Sequence, residues 1–169
     1  MLEIEGLRPT GDRLRETLFN WLQTQIAGKN ILDLCAGAGA LGFEAASRGA
    51  QAVTLVEKNK QVAAQLVKIQ EDFGFHNTNI ICRSAQKFLQ TTSARFDVIF
   101  IDPPFAINLL DELTELSIRV VNTSGFIYRE AAKSQIFTDL GDNWNLYRQK
   151  TQGQVKIQLW QNQTISEEF

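Results

Sequence analysis

Histidine and cysteine are nearly absent: His76, Cys35 and Cys82 are the whole supply in 169 residues. A zinc site of His and Cys lacks its ligands, and two cysteines make no disulfide framework. Each cysteine falls inside an apolar run, so a small buried thiol is expected at both positions. No stretch approaches the roughly 18 uninterrupted apolar residues of a membrane span. The opening MLEIEGLRPT carries acids where a secretory signal has a basic and then an apolar segment, which points to the cytoplasm. Neither sign of charge dominates. With 17 Lys and Arg against 19 Asp and Glu, the net charge of −2 gives no global attraction to nucleic acid or membrane, and a polyanion must be met by a local patch. Three prolines and 11 glycines exclude collagen-like and disordered classes.

What is present is an apolar content of 44 %, enough for one core, in a chain whose length suits a single domain spanning 1–169. From Asn30 onward, short apolar runs alternate with stretches of helical period. This is the signature of βα units around a parallel sheet. Strands are expected at Asn30–Leu34, Ala52–Glu57, Asn79–Cys82, Phe96–Asp102 and Phe126–Glu130, near-continuously apolar because both sheet faces are covered. Crossover helices are expected at Leu41–Arg48, Lys60–Phe73, Ala85–Gln90 and Leu109–Val120, with Val62, Leu66, Ile69 and Phe73 as one apolar stripe. Gly49, Gly74 and Gly125 sit where helix C-caps belong. Trp144–Lys150 and Val155–Gln161 alternate apolar and polar residues and read as an antiparallel hairpin at the sheet edge. Before the first strand, Asp12–Ile26 reads as an amphipathic helix with Leu14, Leu18, Trp21 and Leu22 on one face and Asp12 as N-cap.

The first strand runs into Asp33-Leu34-Cys35-Ala36-Gly37-Ala38-Gly39-Ala40-Leu41-Gly42, a glycine-rich turn that feeds a helix. Gly37 and Gly39 let the backbone approach a ligand, and the helix start offers free N–H groups. A turn that only packs strand on helix has the same appearance. Glu57 sharpens the reading, because it ends the second strand 18 residues past Gly39, where an acid accepts hydrogen bonds from ribose hydroxyls. As a solvated acid opening the next helix it would need no ligand. Asp33 beside the turn disfavours a diphosphate and suits a cation. S-adenosylmethionine (AdoMet), with a sulfonium, an ammonium and no phosphate, fits better than a nicotinamide dinucleotide. Ser84 and Ala85 follow the third strand, where a short polar side chain and a backbone N–H meet an adenine, although Ser84 also suits a plain helix N-cap.

Asp102-Pro103-Pro104-Phe105 follows the fourth strand, at the switch region where open α/β sheets bind ligands. Two prolines remove two backbone donors and leave carbonyl acceptors; Asp102 adds a further acceptor, and Phe105 a flat apolar face. Acceptors beside a stacking ring suit the exocyclic amine of a nucleobase, whose delocalised lone pair must be oriented before it attacks a methyl group. A rigid polyproline turn capped by a buried Phe is the bland alternative.

Together, DLCAGAGALG, Glu57 and DPPF resemble a class I AdoMet-dependent methyltransferase of the amino-methylating group. The segment Leu7-Arg8-Pro9-Thr10-Gly11-Asp12-Arg13-Leu14-Arg15-Glu16-Thr17-Leu18-Phe19-Asn20 is similar to the RPTxDRVREALFN signature of the RsmD family, which methylates N2 of a guanine in 16S ribosomal RNA. SGFIYRE around Glu130 and GQVKIQLWQ near the end resemble that family's fifth and last strands. The resemblance implies a Rossmann-like α/β fold: a mostly parallel seven-stranded sheet with an antiparallel edge hairpin and helices on both faces. Residues 1–29 would form an N-terminal segment and helix, and residues 30–169 the AdoMet-binding sheet. It implies AdoMet held by Asp33, Ala36, Gly37, Gly39, Glu57, Ser84 and Ala85 with Thr10 beside it. Asp102, Pro103, Pro104 and Phe105 would meet the guanine. Arg8, Arg13 and Arg15 suit phosphate contacts, unless Arg13 and Arg15 merely pair with Asp12 and Glu16. At the third-strand turn the family has Asp or Asn where this chain has Ser84. The partner implied is 16S rRNA in the small subunit or its assembly intermediate, met by a monomer that uses no metal and no membrane. A DNA adenine-N6 methyltransferase would share the DPPF chemistry, and a non-enzymatic AdoMet-binding or rRNA-binding assembly factor would share the cofactor turn.

Overall fold

The computed structural model describes residues 9–104 and 109–165. The elements run α1 (Pro9–Trp21), β1 (Asn30–Asp33), α2 (Ala40–Ser47), β2 (Ala52–Glu57), α3 (Lys60–Phe73), β3 (Thr78–Cys82), α4 (Ala85–Thr91), β4 (Phe96–Ile101), α5 (Leu109–Ser117), β5 (Val121–Ala132), β6 (Trp144–Gln152) and β7 (Val155–Asn162). One seven-stranded sheet has the order β3-β2-β1-β4-β5-β7-β6. β1 to β5 pair in parallel, while β7 lies antiparallel to both β5 and β6. The order reverses between β1 and β4, so the loops after these two strands open a crevice at the carboxyl edge of the sheet.

Two apolar layers hold the helices on. Leu14, Leu18, Phe43 and Leu66 from α1 to α3, with Leu22 just past α1, pack on one face over Ile31, Leu55, Phe100 and Tyr128. Phe88, Leu89, Leu110 and Leu113 from α4 and α5 cover the other, over Leu32, Val56, Ile99 and Ile127. Each fully buried Leu in these layers contributes about 2 kcal/mol. Because both faces are covered, β4 reads FDVIFI with five of its six residues buried, which is why the strands lack alternation.

Several local expectations are corrected. Asp12 is not the N-cap of α1: the helix starts at Pro9, and Asp12 lies in its first turn, accepting from Arg15 at 3.0 Å. A proline that opens a helix loses no donor the helix needs. Gly49 and Gly74 take left-handed backbones at helix ends, as expected, but Gly125 caps nothing. α5 ends at Ser117, and Gly125 lies inside β5, where the register with β4 jumps from Phe96↔Val121 to Val98↔Phe126. A Cβ there would meet the carbonyl oxygens of Asn122 and Asp97 at 2.8 Å, so close backbone approach is what requires glycine. Phe73 is 54 % exposed and leaves the stripe of α3. Neither thiol is a buried core residue: Cys35 is partly exposed and Cys82 exposed. The hairpin turn is tighter than the sequence suggests, with Gly153 and Gln154 alone between β6 and β7.

Candidate active site

β1 and β2 deliver their terminal carboxylates to the same turn. Asp33 is buried, and its Oδ2 accepts the N–H of Gly42 at 3.0 Å, which pins the first turn of α2 to the end of β1. Gly42 must lack a side chain, because a Cβ would stand 2.7 Å from Leu55. Gly39 adopts φ 83 at the start of α2, and a Cβ there would meet Phe43 at 2.5 Å and Leu66 at 2.8 Å. Glu57 Oε2 accepts the N–H of Gly37 at 3.1 Å, and its Oε1 accepts that of Asn59 at 3.2 Å. Each oxygen keeps a further lone pair. Glu57 therefore braces the glycine turn while remaining able to accept from a ligand's hydroxyls.

These residues line a cleft of about 490 Å³ bounded by Asp33, Cys35, Gly37, Glu57, Asp102 and Glu130, with Ala36, Pro103 and Pro104 also in its wall. A second chamber of about 660 Å³ shares Cys35, Glu57 and Pro104 with it and adds Ser84, Ala85, Gln86 and Glu112. Of the expected cofactor residues, Asp33, Ala36, Gly37 and Glu57 thus meet in the first chamber, with Ser84 and Ala85 in the second. Ser84 is an N-cap, its Oγ accepting from Lys87 N–H at 3.2 Å. Gly39 does not line either chamber and acts through backbone shape. Arg13 is exposed on α1, and Arg15 pairs with Asp12, so neither lines these chambers. Arg8 and Phe105 lie outside the described residues, as does the side chain of Thr10.

The first chamber carries four carboxylates and, among the described residues lining it, no cation. Burial chiefly pushes Asp33 up to about 7; Glu57 adds to this, while the Gly42 N–H opposes it. Asp102 is raised well above the carboxylate range, by burial first and then by Glu130 and Asp33. Burial also raises Glu130, against the pull of the Tyr128 hydroxyl, which donates to its Oε2 at 2.7 Å. Burial and the surrounding acids push the Cys35 thiol up to about 12, so it stays protonated and is no nucleophile. A cavity that holds carboxylates against their preference for water favours a positively charged occupant. No group of three or more His, Cys, Asp or Glu suited to a metal occurs among the described residues.

Sequence reasoning gave no role to Glu130, Cys35, Leu41 or Val62, all of which line the first chamber. The signal for Glu130 was an acid closing an apolar strand at the carboxyl edge, the same pattern as Glu57.

The profile of the family described as Conserved hypothetical protein 95 matches residues 1–161. The chain is 39 % identical over 168 residues to ribosomal RNA small subunit methyltransferase D of Escherichia coli (strain K12), covering 96 % of this chain and 83 % of that protein. To its namesake in Haemophilus influenzae it is 41 % identical over 169 residues, covering 96 % and 86 %. Among solved structures, the putative methyltransferase yhhF from Escherichia coli superposes with TM-score 0.87 at 38 % identity, covering 94 % of this chain and 89 % of that one. A putative methyltransferase complexed with SAH, SMU.776, shares the fold at TM-score 0.75 and 18 % identity over 92 % of this chain and 50 % of that one. The sheet order and edge hairpin are those of the class I methyltransferase fold.

Proposed function

The chain belongs to the RsmD family, described as Conserved hypothetical protein 95, and we propose that it uses AdoMet to methylate the exocyclic N2 amine of a guanine in 16S rRNA of the small ribosomal subunit. The observation that carries this reading is the joining of two halves in one cleft: the acid-braced glycine turn of β1 and β2, and the Asp102-Pro103-Pro104 acceptors after β4. The relatives named as small-subunit rRNA methyltransferases support rRNA as the substrate class.

AdoMet fits the first chamber by charge, since four carboxylates face a ligand that carries a sulfonium and an ammonium. It would supply an electrophilic methyl group. Glu57 keeps lone pairs for the ribose hydroxyls, and Ser84 and Ala85 stand where the adenine chamber opens. Asp102 and the Pro103 carbonyl accept the two N–H bonds of the target amine, turning its lone pair into the cleft and stabilising the charge that builds on nitrogen. Most of the acceleration comes from holding the amine in that orientation. The proton that the methylated nitrogen releases then passes to water or to Asp102. The protein works as a cytoplasmic monomer of one domain on the subunit or its assembly intermediate, which presents an unstacked base. Arg13, with Arg8, supplies phosphate contacts, while Arg15 is held by Asp12.

The test uses labelled AdoMet with small subunits from cells lacking the modification, followed by mass spectrometry of the nucleosides. N2-methylguanosine is expected. N6-methyladenosine, or no labelled nucleoside, would overturn the reading.

A further inference from the structure

Glu130 sits one residue past the last paired rung of β4 and β5, Ile101↔Arg129, which places it beside Asp102 on the neighbouring strand. Adjacent strands lie about 4.8 Å apart, and residues on one rung point to the same face. Both side chains line the first chamber. Tyr128, two residues back on the same face, donates its hydroxyl to Glu130 Oε2 at 2.7 Å and is itself held against Phe100, ring centroids 6.1 Å apart. The carboxylate is therefore anchored through one oxygen. Among the described residues its Oε1 has no such partner, so Glu130 offers a second acceptor beside the first.

We infer that Glu130 is the acceptor for guanine N1–H, so that Asp102 and Glu130 together read two adjacent donors on the Watson–Crick edge of the target base. The inference rests on the methyltransferase reading above and extends it to how the base is chosen. Guanine presents N2–H₂ and N1–H side by side, both donors. Adenine presents N6–H₂ beside N1, a bare acceptor. A corner of Asp102, the Pro103 carbonyl and Glu130 satisfies the first pattern and sets lone pair against lone pair in the second. Asp102 and Glu130 are only partly exposed, so a base seated on them shields the mismatched acceptor from water that would repair it. The Tyr128 hydroxyl does not supply the missing donor, since it is spent on Oε2.

The experiment compares the wild-type protein with Glu130→Gln on reconstituted small subunits. These carry either guanine or 2-aminopurine at the position the wild-type protein labels. 2-Aminopurine keeps the N2 amine and turns N1 into an acceptor. Wild-type protein is expected to prefer guanine by about tenfold or more in kcat/KM, the scale of leaving a buried polar group unpaired. Gln brings an N–H₂ that can face N1 of 2-aminopurine, so the preference should fall to within about threefold of unity at saturating AdoMet, while loss of one of the four carboxylates weakens AdoMet equally whichever base is present. A merely structural Glu130 would lower both rates together. An unchanged preference in Glu130→Gln, or a wild-type protein indifferent to the two bases, would overturn the inference while leaving N2-methylation standing. If the wild-type protein labels no guanine, the methyltransferase reading fails and this one with it.

Discussion

Replacing Asp33 by Asn should stabilise the ligand-free protein at alkaline pH and impair it as a methyl-donor site. The Asp33 carboxyl titrates near 3.8 when exposed and at about 7 in the fold, mainly because it is buried. Between those values the folded state holds a proton that the unfolded chain has released. Stability therefore falls as pH rises through this window and stays low above it. The full penalty is about 4 kcal/mol at 1.36 kcal/mol per pH unit. Asn keeps an oxygen for the Gly42 N–H but adds an amide that must find partners, at a cost of about 1 kcal/mol. At pH 8.5 Asp33→Asn should thus be more stable than the wild type by about 3 kcal/mol, and near pH 4 slightly less stable. Urea unfolding across pH 4.5 to 8.5 reads this directly. AdoMet affinity should meanwhile drop, because the carboxylate that costs stability is one of the four that attract the cation. A stability difference between the two proteins that does not change with pH would refute the reasoning.

Glu57→Ala should weaken AdoMet by about 1.5–3 kcal/mol in calorimetry, the range for losing a charged hydrogen-bond partner; unchanged affinity would remove Glu57 from the ribose role. Gly39→Ala should cost about 2–4 kcal/mol in chemical unfolding, since φ 83 strains an alanine and its Cβ would meet Phe43 at 2.5 Å; a loss below 1 kcal/mol would show that the turn relaxes freely.

Much of the sheet was legible because its strands are buried on both faces. Runs such as Phe96–Ile101 and Ala52–Glu57 need no alternation to declare themselves, and α3 declared itself by period. What escaped depends on contacts far along the chain. Gly125 looks like a helix stop because it follows a helical stretch, but its requirement comes from the carbonyls of Asn122 and Asp97. Arg129 received no role of its own from the sequence. In the fold it is buried, donates to Thr138 O at 2.7 Å and Gln158 Oε1 at 2.9 Å, and lies over the rings of Phe137 and Trp160. Burial lowers its affinity for a proton to about 10. The cofactor turn and DPPF are local strings, so they could be read; Glu130 joins them only because β5 lies beside β4. Arg13 and Arg15 had two readings from sequence, and the pairing of Arg15 with Asp12 favours the solvated one for that residue.

Asp102→Ala offers the most direct measurement on the chemistry: methyl transfer to small subunits and AdoMet affinity, taken on the same preparation. Loss of about a thousandfold or more in transfer with affinity kept within a few-fold would mark Asp102 as the group that readies the base nitrogen. Transfer surviving at near wild-type rate would mean that the amine is activated elsewhere.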